Sequence, residues 1–348
     1  MNKRIGIPRF VDDVTTNTNS DSKRMIADKD FSYGNMLKDG LKVFRKRWDA
    51  ALVTCVYCIL NPDKVKGRQV ATIASLVTPA VFILDDLIDQ SKHREGRKSF
   101  WMKHGKDQTL IATTTYVNLF LEHVAEFNPD DRQLSRLAQD SIYLMLQGEY
   151  RDITRNKQGL LGEEEYWTLC YEKAGAITEV GGKLASAAAG ASKKEERIIV
   201  RGAALIGILS QVLDDILDME DDFAHGKTSL AAMIVGKSDA SWEDLASTKV
   251  SSRIQAKTDE LCDEGIALTH QLRQNEYTVL LRDVFQCWKN FSWALMGRDD
   301  WVDICRKIGA VGIEEAFDLM FYKMKPDMTE KEINLVFDSH MQTTTRKA

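Results

Sequence analysis

Proline is scarce in this chain of 348 residues: five occur, at positions 8, 62, 79, 129 and 326. Long stretches are therefore free of the residue that most effectively breaks helices. No Pro/Gly/Ser-rich linker divides the middle of the chain, which argues for one main domain. No convincing alternation of apolar and polar residues occurs, so strands are not expected. Basic residues are scattered and the formal charge is −5, which excludes the concentrated positive stripe of a nucleic-acid binder. The first residues, Met1 to about Lys29, are polar and lack the apolar run of a secretory signal, so a cytoplasmic protein is expected. The longest nearly apolar stretch, Ala74 to Leu84, is far shorter than the ~20 residues that cross a bilayer, so no transmembrane segment is expected. None of the six histidines forms an HExxH motif, and there is no Gly-rich phosphate loop. Of the six cysteines only Cys55 and Cys58 have CxxC spacing; without a second pair, and among apolar neighbours, they read as two buried thiols on a helix. Reduced cysteines suit the cytosol.

What is present is helix-forming. With 44% hydrophobic and 28% charged residues, the chain can bury a sizeable core. From Gln108 to Phe127, Leu110, Ile111, Val117, Leu119, Leu121 and Val124 recur, several at three- and four-residue spacings. Gln133 to Leu146 behaves likewise. Glu163 to Leu184 opens with acids, which suit the positive end of a helix dipole, and continues through Trp167, Leu169, Ile177 and Val180. The small residues at 187–190 supply helix propensity. Residues 236–252 read as a polar loop, and apolar spacing returns at Trp301, Ile304, Ile308, Phe317 and Phe321. The fold class is all-α, with roughly ten or more helices.

The chemistry is concentrated in two acidic clusters. The segment AVFILDDLIDQSKHREG places Asp85, Asp86 and Asp89 at the end of an apolar helical run, where residues four apart share a face. The segment SQVLDDILDMEDDFAHGKTSL repeats the pattern with Asp214, Asp215 and Asp218, followed by Asp222. Carboxylates crowded this closely repel one another unless cations sit among them. Hard oxygen ligands suit magnesium, which bridges carboxylates to phosphate oxygens. A single acidic run is most simply a solvated helix end; two DDxxD clusters, each closing an apolar helix, point to a site.

On these residues the chain resembles the trans-isoprenyl diphosphate synthases of the farnesyl and geranylgeranyl type, over roughly residues 35–295. The resemblance implies a helical bundle around a central apolar cavity, the class I isoprenoid synthase fold. It also implies two aspartate motifs holding three Mg2+ ions on an allylic prenyl diphosphate. Asp85 and Asp89 would bind two ions and Asp214 would lead binding of the third, with Asp86, Asp215 and Asp218 in support. Cationic positions follow the family's order. DGLKVFR offers Lys42 and Arg45 for its GGKxxR region, and Arg94 stands at the first arginine of its RRG sequence. Lys173 in YEKAGA matches the lysine of its KT motif, Lys227 in HGKTS matches the lysine after the second cluster, and Gln211 precedes that cluster. The ions, with Lys173, Lys227 and Arg94, would stabilise the departing diphosphate, and a homodimer is implied.

The attacking π bond could belong to isopentenyl diphosphate, giving chain elongation, or to the same substrate, giving cyclisation by a terpene synthase. Three positions depart from the family's second-substrate site: Glu95 replaces the second arginine of RRG, Thr78 stands where histidine or glutamine is usual, and Ala174 replaces the threonine of KT. The complete second cluster favours elongation. A third reading is a non-catalytic partner subunit, which usually loses aspartates. Ala80, the fifth residue before Asp85, would leave room for a C20 or longer chain, with Phe82 and a bend at Pro79 able to refill it. The expected organisation is a polar arm over 1–30, a catalytic domain over 31–296 and a helical extension of unassigned role over 297–348.

Overall fold

The computed structural model describes residues 5–127, 132–158, 162–219, 230–235, 244 and 246–344. They divide into two compact units, each discontinuous in sequence. Unit 1 comprises Met1–Tyr143, Thr178–Ala203 and Leu272–Leu281; unit 2 comprises Leu144–Ile177, Ala204–Gln271 and Arg282–Ala348. Neither expected boundary, at 30/31 or 296/297, separates the units. Four of the junctions fall inside helices, which is why no linker composition marks them.

Unit 1 opens with α1 (Ile7–Asp28), followed by α2 (Gly34–Gly40), a short 3-10 turn (Leu41–Val43), α3 (Trp48–Leu60), α4 (Lys64–Ala74) and α5 (Thr78–Ile88). The segment read as a polar arm is thus a helix, and α1 packs against α3 and α4. Its inward face combines Phe10, Val11, Val14 and Ile26 with Thr15, Thr18 and Ser22, all buried. Burying each large apolar side chain contributes about 1.5–3 kcal/mol relative to exposure, so α1 is part of the core. Helix α3 buries Cys55 and Cys58 as free thiols; burial pushes Cys58 up to about 11 and Cys55 well above its usual range.

Pro79 lies in the first turn of α5 and opens the helix instead of bending it, because its missing N–H is not needed there. The run Lys64–Ile88, 25 residues, is long and apolar enough by composition to cross a membrane, and is longer than the stretch counted above. Half of it is buried in the protein, and a turn at 75–77 separates α4 from α5. After α5 come a two-residue hairpin, β1 (His93–Arg94) and β2 (Arg97–Lys98), then α6 (Phe100–His104), α7 (Lys106–Phe127) and α8 (Arg132–Gln158). The hairpin is the one departure from an all-α chain among the described residues.

A buried ion pair fixes the start of α5. Arg47, fully buried, donates to Asp49 from Nε at 3.1 Å and Nη2 at 2.9 Å, and to the Ser75 carbonyl at 2.7 Å. The Thr78 hydroxyl donates to Asp49 Oδ2 at 2.7 Å. Burial alone would raise the Asp49 carboxyl, but the Arg47 charge and these hydrogen bonds outweigh it and hold it below its usual range.

The segment expected as one helix over Glu163–Leu184 is α9 (Glu163–Cys170), a π-helical turn (Tyr171–Gly175) and α10 (Ala176–Ala189). Helix α11 (Lys193–Leu217) follows, then α12 (Leu230–Val235), α13 (Thr248–His270), which claims the end of the expected polar loop, and α14 (Glu276–Met296). The C-terminal segment forms α15 (Trp301–Gly309), α16 (Ile313–Asp318), a second π-helical turn (Leu319–Lys323) and α17 (Glu330–Thr344), all within unit 2.

Candidate functional site

The first acidic cluster belongs to unit 1. Pro79, Ala80, Ile83 and Asp86 form the buried face of α5, so the inward stripe carries a carboxylate at its end. Asp85 is half-buried and Asp89 exposed, and the Asp89 N–H donates to the Asp85 carbonyl at 2.9 Å, keeping both residues on one helical face. Arg94 forks between two of these aspartates, with Nη2 at 3.0 Å from Asp85 Oδ2 and Nε at 2.9 Å from Asp86 Oδ1. Its guanidinium also lies over the Phe82 ring, 4.8 Å from the centroid, and Phe82 meets Phe44 edge-on. The expected diphosphate ligand Arg94 is thus held against the expected metal ligands.

Beside this cluster is a cleft of about 330 Å³, lined by Asp39, Lys42, Val43, Asp86, Arg94, Arg97, Lys98, Ser99, Phe100 and Lys103. Five cations face two carboxylates there. Lys42 donates to Asp39 at 3.1 Å, Lys103 also pairs with Asp39, and His104 Nε2 lies 2.9 Å from it. Burial would raise the Asp39 carboxyl, but the hydrogen bonds from Lys103, His104 and Lys42 hold it well below the usual carboxylate range. Lys42, assigned by resemblance, is among the residues lining the cleft, whereas Arg45 is exposed and is not. Arg97, Lys98 and Lys103 were missed from sequence. The basic composition of REGRK was the only signal for Arg97 and Lys98, since the hairpin that presents them is too short to show periodicity, and Lys103 lies on α6.

The second cluster belongs to unit 2, at the end of α11, where Leu205, Leu209, Val212, Leu213 and Ile216 are buried. Asp214 and Asp215 are half-buried and Asp218 is exposed, and the Asp218 N–H donates to the Asp214 carbonyl at 2.9 Å. Asp215 accepts from the Tyr166 hydroxyl at 2.7 Å and from Gln211 Nε2 at 3.0 Å. Burial first, and then the facing Asp215 charge, push the Tyr166 phenol well above its usual range, so it remains a donor. Gln211, expected on the substrate, thus orients Asp215. Tyr166 was missed because an aromatic residue early in an amphipathic helix reads as core.

Lys173 lies in the π-helical turn Tyr171–Gly175, a feature that recurs at functional positions. Its ammonium donates to Asp152 at 2.9 Å and stands 3.4 Å from Glu149. Neighbouring Glu172 accepts from Gln147 at 3.0 Å and has Arg151 Nε at 3.5 Å. A Cβ at Gly148 would come within 3.0 Å of the Lys173 backbone nitrogen, so glycine permits this close approach of α8. Glu149 and Asp152 were not foreseen as partners of Lys173. Lys227 and Asp222 lie outside the described residues.

Among the described residues no three His, Cys, Asp or Glu side chains converge as a ready-made metal cage. Each cluster instead offers hard carboxylate oxygens from one helix end, a donor set that suits Mg2+ shared with phosphate oxygens. Asp85 with Asp89 could supply such a donor set in unit 1, and Asp214 with Asp218 another in unit 2.

The Polyprenyl synthetase family model matches residues 33–238. An octaprenyl diphosphate synthase of Haemophilus influenzae is 23% identical over 46% of this chain and 51% of its own length. A short chain isoprenyl diphosphate synthase of Methanocaldococcus jannaschii is 23% identical over 63% of this chain and 67% of its own. The chain spans about half the length of the first of these relatives. Among solved structures, heptaprenyl diphosphate synthase from Staphylococcus aureus has a TM-score of 0.71 at 16% identity, covering 82% of this chain and 99% of that one. Geranylgeranyl pyrophosphate synthetase from Geoglobus acetivorans gives 0.69 at 16%, covering 80% and 99%. At that identity the likeness shows the fold, which is the all-helical fold of these synthases. The family match covers more than half of the chain, and the chain belongs to the polyprenyl synthetase family, the trans-isoprenyl diphosphate synthases.

Proposed function

We propose that this protein elongates a prenyl chain, ionising an allylic prenyl diphosphate and joining its prenyl group to isopentenyl diphosphate. The observation that carries the reading is the cationic cleft beside the Asp85–Asp86 carboxylates. It supplies complementary charge for a diphosphate, and family membership supplies the reaction class. Magnesium, when bound, would neutralise the diphosphate and stabilise it as it leaves. The chain's own carboxylates would position that charge: Asp85 and Asp89 in unit 1, and Asp214 and Asp218 in unit 2. Asp215 is oriented by Tyr166 and Gln211. Lys173 would add a fixed cation once a diphosphate competes for it with Asp152 and Glu149. The apolar faces of the helices would exclude water from the allylic cation.

The test is to incubate purified protein and Mg2+ with geranyl, farnesyl and geranylgeranyl diphosphates, each with and without isopentenyl diphosphate, and to identify products by mass spectrometry. Longer diphosphates formed only with isopentenyl diphosphate establish elongation, and turnover by the purified protein alone removes the partner-subunit reading. Asp85→Ala and Asp214→Ala should each abolish magnesium-dependent turnover; full activity in both sinks the metal assignment. Ala80, fully buried in α5, is proposed as the floor that permits a C20 or longer product. Ala80→Phe should shorten it.

Glu95 and Thr78 support a second reading, cyclisation of a single prenyl diphosphate. Hydrocarbons or alcohols formed without isopentenyl diphosphate would establish it. A homodimer belongs to the main proposal. It is supported by the exposed Tyr143, Leu146, Tyr150 and Ile153, three and four residues apart along α8. Equilibrium sedimentation of the Tyr150→Glu/Ile153→Glu variant should show a monomer.

A further inference from the structure

Glu95 stands where a second arginine would complete a pair with Arg94, and the hairpin answers that loss. Glu95 and Gly96 have φ of +51° and +67°, the two positive-φ positions of a type I′ turn. Arg94 and Arg97 pair directly across the ladder. Residues paired across an antiparallel ladder project from the same face, so Arg97 is delivered to the side that carries Arg94, and Glu95 is left at the tip. The cleft lining agrees: it contains Arg94, Arg97 and Lys98 but not Glu95.

The cations of this cleft are unequally engaged. Arg94 is bound to Asp85 and Asp86, and Lys42 and Lys103 share Asp39. Arg97 is exposed and, among the described residues, donates only to the Val43 carbonyl, at 3.4 Å. Among the described residues neither Arg97 nor Lys98 has a carboxylate partner. The surplus positive charge therefore sits on the two residues of β2, opposite Lys42 on the turn after α2.

We propose that Arg97 and Lys98, with Lys42 across the cleft, hold the diphosphate of the second substrate, isopentenyl diphosphate, and that Arg97 takes the part for which residue 95 is unsuited. A planar guanidinium presents paired donors to a diphosphate oxygen edge, and the two lysines add point charges. The assignment rests on the elongation reading for the identity of the ligand, whereas the anion site itself is a property of unit 1.

The experiment has two arms. Binding of isopentenyl diphosphate is measured by calorimetry in EDTA, where no magnesium bridges the aspartates, for wild type, Arg97→Ala, Arg97→Ala/Lys98→Ala and Glu95→Arg. Steady-state kinetics then give separate KM values for isopentenyl and allylic diphosphates. Arg97→Ala should weaken isopentenyl diphosphate binding roughly 10- to 100-fold, the loss of one charge-assisted contact, with the allylic KM within about twofold of wild type. The double variant should weaken binding further. Glu95→Arg should change neither quantity, because position 95 is outside the cleft. Unchanged binding in both Arg97 variants overturns the proposal, as does tighter binding in Glu95→Arg with no effect of Arg97→Ala. Wild-type protein that binds isopentenyl diphosphate through Arg97 but never incorporates it would refute elongation and leave the site standing. Circular dichroism of the Arg97→Ala and Arg97→Ala/Lys98→Ala variants should match wild type, since both residues of β2 are exposed.

Discussion

The Tyr166 hydroxyl donates to Asp215 Oδ2 at 2.7 Å, joining α9 to the aspartate cluster that closes α11. Phenylalanine at position 166 would keep the buried ring and remove this donor, leaving Asp215 with Gln211. Net stability should fall by about 1 kcal/mol, the usual worth of one hydrogen bond. The telling readout is metal dependence: Tyr166→Phe should raise the magnesium concentration for half-maximal turnover severalfold. An unchanged magnesium titration would reduce Tyr166 to a packing residue.

Lys173 is 10% exposed and stands between Asp152 and Glu149, so removing its charge leaves two enclosed carboxylates facing each other. Lys173→Gln should therefore cost about 3–5 kcal/mol in urea unfolding. Asp152→Asn should cost less, because Glu149 still neutralises the ammonium. Catalysis should show the same contrast more sharply: Lys173→Gln should lower kcat about 100-fold or more, while Asp152→Asn keeps the lysine and most of the rate. Equal losses of rate in the two variants would assign the lysine a structural role alone.

Thr78 departs from its family in sequence, but its hydroxyl is committed to Asp49 Oδ2, which Arg47 also holds. Thr78→Val should accordingly lower stability by about 1–2 kcal/mol and leave the KM for isopentenyl diphosphate unchanged. A large KM effect with full stability would place Thr78 on the substrate instead.

Acid stability offers a fourth check. Arg273 Nε donates to Glu195 at 2.6 Å, and the Ser192 backbone N–H and hydroxyl donate to it as well, forming the cap at the start of α11. These bonds, that of Arg273 foremost, lower the Glu195 carboxyl to about 2. The folded-state value lies below the ordinary glutamate value of about 4.3. Its contribution is therefore present in full above that pH and is lost as pH falls toward about 2. Glu195→Gln should flatten the slope of unfolding free energy against pH between these limits and leave the slope above pH 5 unchanged. An identical acid limb in both proteins would refute the assignment.

The aspartate clusters were legible because four-residue spacing survives folding unchanged: Asp85 with Asp89, and Asp214 with Asp218, keep their helical hydrogen bonds. The helical class was legible from scarce proline and apolar spacing. Helix α1 was not, because Thr15, Thr18 and Ser22 supply part of its buried face and count as polar in any pattern. Lys173 was singled out by its motif, but its π-helical setting was not legible, since the apolar stripe runs on through a single widened turn. Arg97 escaped because two residues per strand carry no period, and its place beside Arg94 is decided by the backbone of the intervening turn.

Unit 1 assembles from three stretches of chain, and the last of them makes specific bonds to the first. Asn275 Nδ2 donates to the Ile59 carbonyl at 2.9 Å and to the Cys58 carbonyl at 3.4 Å, closing the C-terminal end of α3. Asn275 Oδ1 accepts from the Tyr277 and Thr278 N–H groups, both at 3.0 Å, and so starts α14. One amide thus ends a helix made early and begins one made late. During synthesis on a ribosome, α3 must wait more than two hundred residues for the group that satisfies its carbonyls. Contacts of such long sequence separation slow folding and prolong the exposure of apolar faces. The nascent chain therefore has reason to engage a chaperone until residue 281 has emerged.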